Sequence, residues 1–81
     1  SIDTVFEIYQ TYYDPVDDET YSIVGYDSLE DIVFKDNLVV YKVTLLYGDP
    51  DIPRIYKGCD VYITAKNGKT TYSKINPKEC M

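Results

Sequence analysis

Histidine and tryptophan are missing from this 81-residue chain. Without histidine it lacks the commonest general base and the commonest metal ligand. Glycine is scarce. Gly25, Gly48, Gly58 and Gly68 stand singly, as turn residues, and build no phosphate cradle. The two cysteines, Cys59 and Cys80, do not have the C-x-x-C spacing of a zinc site. The acidic run from Asp14 to Glu19 lacks the alternating ligands and central glycine of an EF-hand. No stretch approaches the ~20 consecutive apolar residues of a membrane span. Lysine and arginine are absent from residues 1–34, and nucleic-acid binding needs a basic footprint. These absences predict a protein that is not an enzyme, carries no cofactor or metal, and meets neither a membrane nor nucleic acid directly.

What is present is tyrosine, ten residues against two phenylalanines. Tyrosine suits pleated, half-buried surfaces, and its rigid amphipathic ring suits binding interfaces. Charge is uneven. Residues 1–34 sum to −9, while residues 35–81 carry eight basic side chains against five acids, giving −6 overall. Such asymmetry steers partners of opposite charge. The length predicts a single domain over residues 1–81, small enough to bury only about 60–65% of its unfolded surface.

Along the chain, Thr4–Tyr13 reads as a strand, broken by Pro15 and the flanking aspartates. Thr20–Gly25 reads as its hairpin partner across an acidic loop. Ser28–Phe34 carries two readings: a helix opened by Ser28 and Asp31, or a strand turned back at Asp36-Asn37. The strand register sets Val33 opposite Val40 and Asp31 opposite Lys42. Leu38–Tyr47 is apolar on both faces and belongs in the middle of the fold. Residues 48–53 form a loop with two prolines, and Arg54–Lys57 a short edge strand. Asn67-Gly68 is a strong hairpin signal, because its turn needs positive φ at both central residues. It pairs Ile63 with Tyr72, Tyr62 with Ser73 and Val61 with Lys74, and Pro77 ends the last strand. The sum is a mostly β domain: a compact antiparallel β-sandwich or small barrel of five to six strands, with at most one short helix.

The candidate partner-binding residues are Tyr12, Tyr13, Asp14, Asp17, Asp18, Glu19 and Tyr21. Aromatic anchors ringed by acids suit a basic groove on another protein. An exposed sheet edge is a second candidate, through strand addition. Cys59 and Cys80 are a candidate disulfide. The Asn-Gly register places Cys59 opposite Asn76, so the tail must fold back for the two to meet. A bridge favours secretion; free thiols favour a host cytoplasm.

The stretch Cys59-Asp60-Val61-Tyr62-Ile63-Thr64, through Asn67-Gly68-Lys69 to Cys80, resembles the end of the MAX-type effectors of plant-pathogenic fungi. Those are small secreted six-stranded β-sandwiches with a cysteine just before the fifth strand. The resemblance covers about a quarter of the chain and implies a non-enzymatic, virulence-type protein that binds host proteins. The family's partner cysteine lies near the first strand, where this chain has none.

Two functions are therefore expected to compete. One is an effector or inhibitor that occupies a partner protein with a basic surface. The other is an acidic decoy, a nucleic-acid mimic or immunity-type inhibitor of a basic protein.

Overall fold

The computed structural model describes residues 1–52 and 54–81. Pro53, the end of the predicted 48–53 loop, lies outside them. The chain runs α1 (Ile2–Ile8), β1 (Thr11–Asp14), β2 (Glu19–Lys35), β3 (Leu38–Asp49), β4 (Arg54–Lys66), β5 (Lys69–Tyr72) and a 3₁₀ turn at Pro77–Glu79. The strands form one antiparallel meander in the order β1-β2-β3-β4-β5. Cys80 adds a one-residue bridge to Cys59 on β4, beyond the reach of β5. The sheet curls into a half-barrel with α1 in its concave side. The fold is thus mostly β and antiparallel, with one short α-helix.

The predicted strand over Thr4–Tyr13 is corrected. Ile2–Ile8 is helical, and only Thr11–Asp14 is extended. Ile2, Val5, Phe6 and Tyr9 repeat at helical spacing, which buries Val5 and Tyr9 together on the sheet. A helix of seven residues is too short to stand alone, so packing decides against the β preference of Val, Ile and Tyr. Phe6 meets the Tyr26 ring edge-on, with centroids 6.2 Å apart.

Ser28–Phe34 takes the strand reading and is continuous with the predicted Thr20–Gly25 strand. Asp36 and Asn37 make the turn, Asn37 with φ 63°. Val33 faces Val40 as expected, but Asp31 faces Tyr41, and Glu30 takes Lys42 at 3.0 Å. A bulge between Asp31 and Val33 shifts the register. Two more lie between Ile23 and Gly25 and between Tyr26 and Leu29. All three place the extra residue on β2. That bends the longer strand around its shorter partner and tightens the curl.

β3 is central, with Val43, Leu45 and Tyr47 buried on the concave side. Its other face, with Val40 and Leu46, is half-exposed and not covered by a second layer. Arg54–Lys57 is part of β4, pairing with β3. Gly48 sits at a bulge opposite Ile55, where a Cβ would run into the Arg54 carbonyl oxygen. The Asn67-Gly68 turn has the expected positive φ values, 51° and 80°. Ile63 pairs with Tyr72, and Ser73 N–H still donates to the Tyr62 carbonyl at 2.9 Å. The ladder stops there, so Val61 and Lys74 do not pair. Instead the chain turns away at Pro77, where the Asn76 side chain caps the 3₁₀ turn, and returns beside β4. Gly58 and Met81 exchange two backbone hydrogen bonds of 2.8 Å.

Cys59 and Cys80 are joined as a disulfide, with Cys59 fully buried in the core. The bond closes a loop with a sequence separation of 21. By the chain-entropy relation that contributes about 3 kcal/mol. Two measurements check this part of the structure. Intact mass after alkylation should show both thiols blocked until reductant is added. Reduction should then lower Tm by more than about 10 °C, given the sensitivity of so small a domain. Gly48→Ala should also lower Tm, because the backbone of β4 must move to admit the methyl group.

Candidate functional site

The seven residues singled out in the sequence divide between core and surface. In β1 the side chains alternate, so Tyr12 and Asp14 point inward and Thr11 and Tyr13 outward. Tyr12 is buried against Tyr47, with ring centroids 5.7 Å apart. It is therefore a core residue, not a surface anchor. Tyr13 is 54% exposed, and its hydroxyl donates to Asp18 at 2.8 Å. Tyr21 is half-buried, stacked obliquely on Tyr56 at 5.5 Å, and Arg54 lies over the Tyr56 ring. Asp17, Asp18 and Glu19 are exposed at the turn.

Asp14 is buried and organises the turn from below. Its carboxylate accepts the Val16 N–H at 2.9 Å and the Asp17 N–H at 3.4 Å. Lys57, reaching across the concave side from β4, pairs with Asp14 at 2.6 Å and with Asp17 at 3.4 Å. This contact ties β1 to β4, two strands that are not neighbours in the sheet, and so fixes the curl at that end. The Lys57 ammonium, with the two backbone N–H groups, holds the Asp14 carboxyl below its ordinary value of 3.8. Lys57 is correspondingly raised by Asp14.

The topology then sorts charge along the long axis of a molecule measuring 42 × 23 × 17 Å. The β1–β2 and β3–β4 connections share one end, which gathers Asp14, Asp17, Asp18, Glu19, Asp49 and Asp51 against Arg54 and Lys57. The β2–β3 and β4–β5 turns share the other, tied by Asn67 N–H donating to the Asn37 carbonyl at 2.9 Å. There Lys35, Leu38, Lys66 and Lys69 form one row across four strands on the convex face.

Sequence reading did not find the groove on the concave side beyond α1. It has a volume of about 330 Å³ and an apolar lining that includes Ile2, Tyr26, Leu29, Tyr41, Ile63 and Tyr72. The register sets Asp31, Tyr41, Ile63 and Tyr72 in one row across this face. The hairpin turns alone carried a signal for part of that row, the Ile63–Tyr72 pair. The β2 bulge that turns Asp31 toward Tyr41 left none. Among the described residues, no group of three or more His, Cys, Asp or Glu is placed to hold a metal ion, and no helix is long and apolar enough to cross a membrane.

Comparison with known proteins finds no family model, no curated protein and no solved structure that matches this chain.

The Asp14–Lys57 pair makes the fold acid-sensitive in a defined direction. The Asp14 carboxyl titrates lower in the folded chain than in the unfolded one. Its stabilisation is complete above the ordinary carboxylate range and is lost as pH falls through 3.8 toward the depressed value. Wild-type Tm should therefore drop on acidification below about pH 4. Asp14→Asn should lower Tm at neutral pH and flatten that acid limb, as followed by circular dichroism. An unchanged acid limb in the variant would remove Asp14 as its source.

Proposed function

We propose that this chain is a non-enzymatic protein-binding module of the effector or inhibitor type, which occupies a basic surface on a partner protein. The observation that carries the reading is the acidic end of the long axis. Asp18 there accepts the hydroxyl of Tyr13, which is 54% exposed, and Asp17 and Glu19 are exposed in the same acidic turn. The turn beneath is braced by Asp14 and Lys57. An exposed aromatic ring at an acidic turn supplies both an anchor and electrostatic steering. The resemblance of the last quarter of the chain to MAX-type effectors supports the same class. The Cys59–Cys80 bond supports an oxidising, extracellular route for the protein.

The acidic-decoy reading competes at the same end. The row of Lys35, Lys66 and Lys69 at the opposite end argues against a mimic that uses its whole surface. The two readings separate in one binding experiment. Partners are captured from host-type extracts by cross-linking and identified by mass spectrometry. The captured partner is then titrated against wild type, Tyr13→Ala and a variant neutralised at Asp17, Asp18 and Glu19. For an anchored protein-binding site, Tyr13→Ala should weaken binding by about tenfold or more, the range of interface hot spots. For a decoy, the neutralised variant should lose affinity and salt dependence together, while Tyr13→Ala changes little. If both variants capture and bind as wild type does, the acidic end is not the binding surface.

A further inference from the structure

The sheet rows that floor the concave groove beyond α1 bring a single charged side chain to that side, next to a lining residue, Tyr41. Across the sheet these rows run Phe34-Val39-Ala65-Thr70, then Asp31-Tyr41-Ile63-Tyr72, then Leu29-Val43-Val61. Residues directly opposite in an antiparallel ladder share a face, so Asp31 is the one charge these three rows bring to the concave side. The carboxylate is exposed, and no ion pair engages it among the described residues. Lys42, the cation nearest in register, is taken by Glu30 on the convex side. Meanwhile apolar residues of the groove stay open to solvent: Leu29 is 60% exposed and Tyr26 46%.

An apolar floor costs free energy when left in water. A lone carboxylate beside tyrosine faces selects for a cation, since both the charge and the ring quadrupoles attract one. A second copy of this chain meeting it groove to groove is a poor occupant, because Asp31 would face Asp31. The three lysines of the far turns are on the convex side and do not offset this. We infer that the groove receives a short segment of the partner protein that carries both apolar and basic side chains. Its apolar residues lie on Leu29 and Ile63, and a lysine or arginine lies between Asp31 and the rings of Tyr41 and Tyr72. This rests on the protein-binding reading and assigns it a second contact surface, separate from the acidic turn.

The test uses two short synthetic peptides, one alternating leucine with lysine and one alternating leucine with glutamate. Each is titrated into the intact, disulfide-bonded protein while backbone amide shifts are followed by NMR. The lysine peptide should shift Tyr26, Leu29, Tyr41, Ile63 and Tyr72 saturably, and the glutamate peptide should not. Asp31→Asn should weaken the lysine peptide several-fold, and Leu29→Lys should weaken it by about tenfold or more. Leu29 is exposed, so Leu29→Lys should keep the wild-type Tm, which verifies that the variant is folded. Equal binding of both peptides removes the charge selectivity and overturns the inference. So do shifts confined to residues 13–19, or an absence of shifts at about 1 mM peptide. None of these outcomes touches the acidic-end reading, which is decided by Tyr13 and the turn acids against the captured partner.

Discussion

Four hydrogen bonds through Tyr47, Tyr9 and Ser73 are what the rest of this small domain hangs on. Tyr47 is fully buried at the centre of the sheet, and its hydroxyl donates to the Tyr9 carbonyl at 2.7 Å. Tyr9 ends α1, where a carbonyl is left without a helical partner. Its own hydroxyl donates onward to the Ser73 carbonyl at 2.7 Å. Ser73 in turn exchanges bonds with Tyr62, through its N–H and its Oγ, both at 2.9 Å. One chain of contacts thus joins the helix end, the central strand and the departing tail. Burial raises the Tyr47 hydroxyl well above its ordinary titration range and raises Tyr9 as well, so both remain neutral donors. An apolar ring in place of Tyr47 would leave the buried Tyr9 carbonyl unpaired, a larger loss than the hydrogen bond itself. The many tyrosines are therefore partly a structural device: they fill space and satisfy polar ends in one residue.

The β4–β5 hairpin was legible from the sequence, because its cause is local. Asn67-Gly68 must adopt positive φ, and that alone sets Ile63 against Tyr72. Asp36-Asn37 set Val33 against Val40 only in the strand reading of Ser28–Phe34, and the local signals left a helix equally open. What was not legible depends on contacts distant in the chain. The first eight residues are rich in β-formers and become a helix only because Val5 and Tyr9 find a curved sheet to cover. The bulge after Asp31 exchanges Lys42 for Tyr41 as its neighbour, and nothing in the spacing of acids and bases marks it. The return of Cys80 to Cys59 needs a 3₁₀ turn after Pro77, which local propensity does not announce.

The candidate site was legible by composition and not by orientation. Tyr12, Tyr13 and Asp14 are consecutive on a strand, so the pleat sends them to opposite sides. Tyr13 remains available to a partner, while Tyr12 and Asp14 hold the turn in place. Lys57, 43 residues from Asp14 in the chain, was invisible as its counter-ion until β4 was seen to cross the concave side. The unequal halves of the chain gave a correct sense of charge separation and the wrong geometry for it. An antiparallel meander folds sequence halves side by side, so the separation that survives is between the two sets of turns.

That geometry bears on how two surfaces can serve one partner. The acidic turn and the groove lie along the same elongated body, at its end and on its concave side, and both favour cations. A partner that presents basic residues to each would be oriented by the charges before any apolar contact forms, since steering acts over roughly a Debye length of about 8 Å. Apolar burial in the groove would then set how long it stays, because dissociation is where packed contacts are felt. The convex lysine row has the opposite preference and would repel such a partner, turning the far end away from the approach. Bulges that close the sheet on one side therefore do more than shape the core. They decide that Asp31 lies on the concave side with Tyr41 and that Glu30 pairs with Lys42 on the other, which keeps the unpaired carboxylate and the ion pair on separate faces of the same strands.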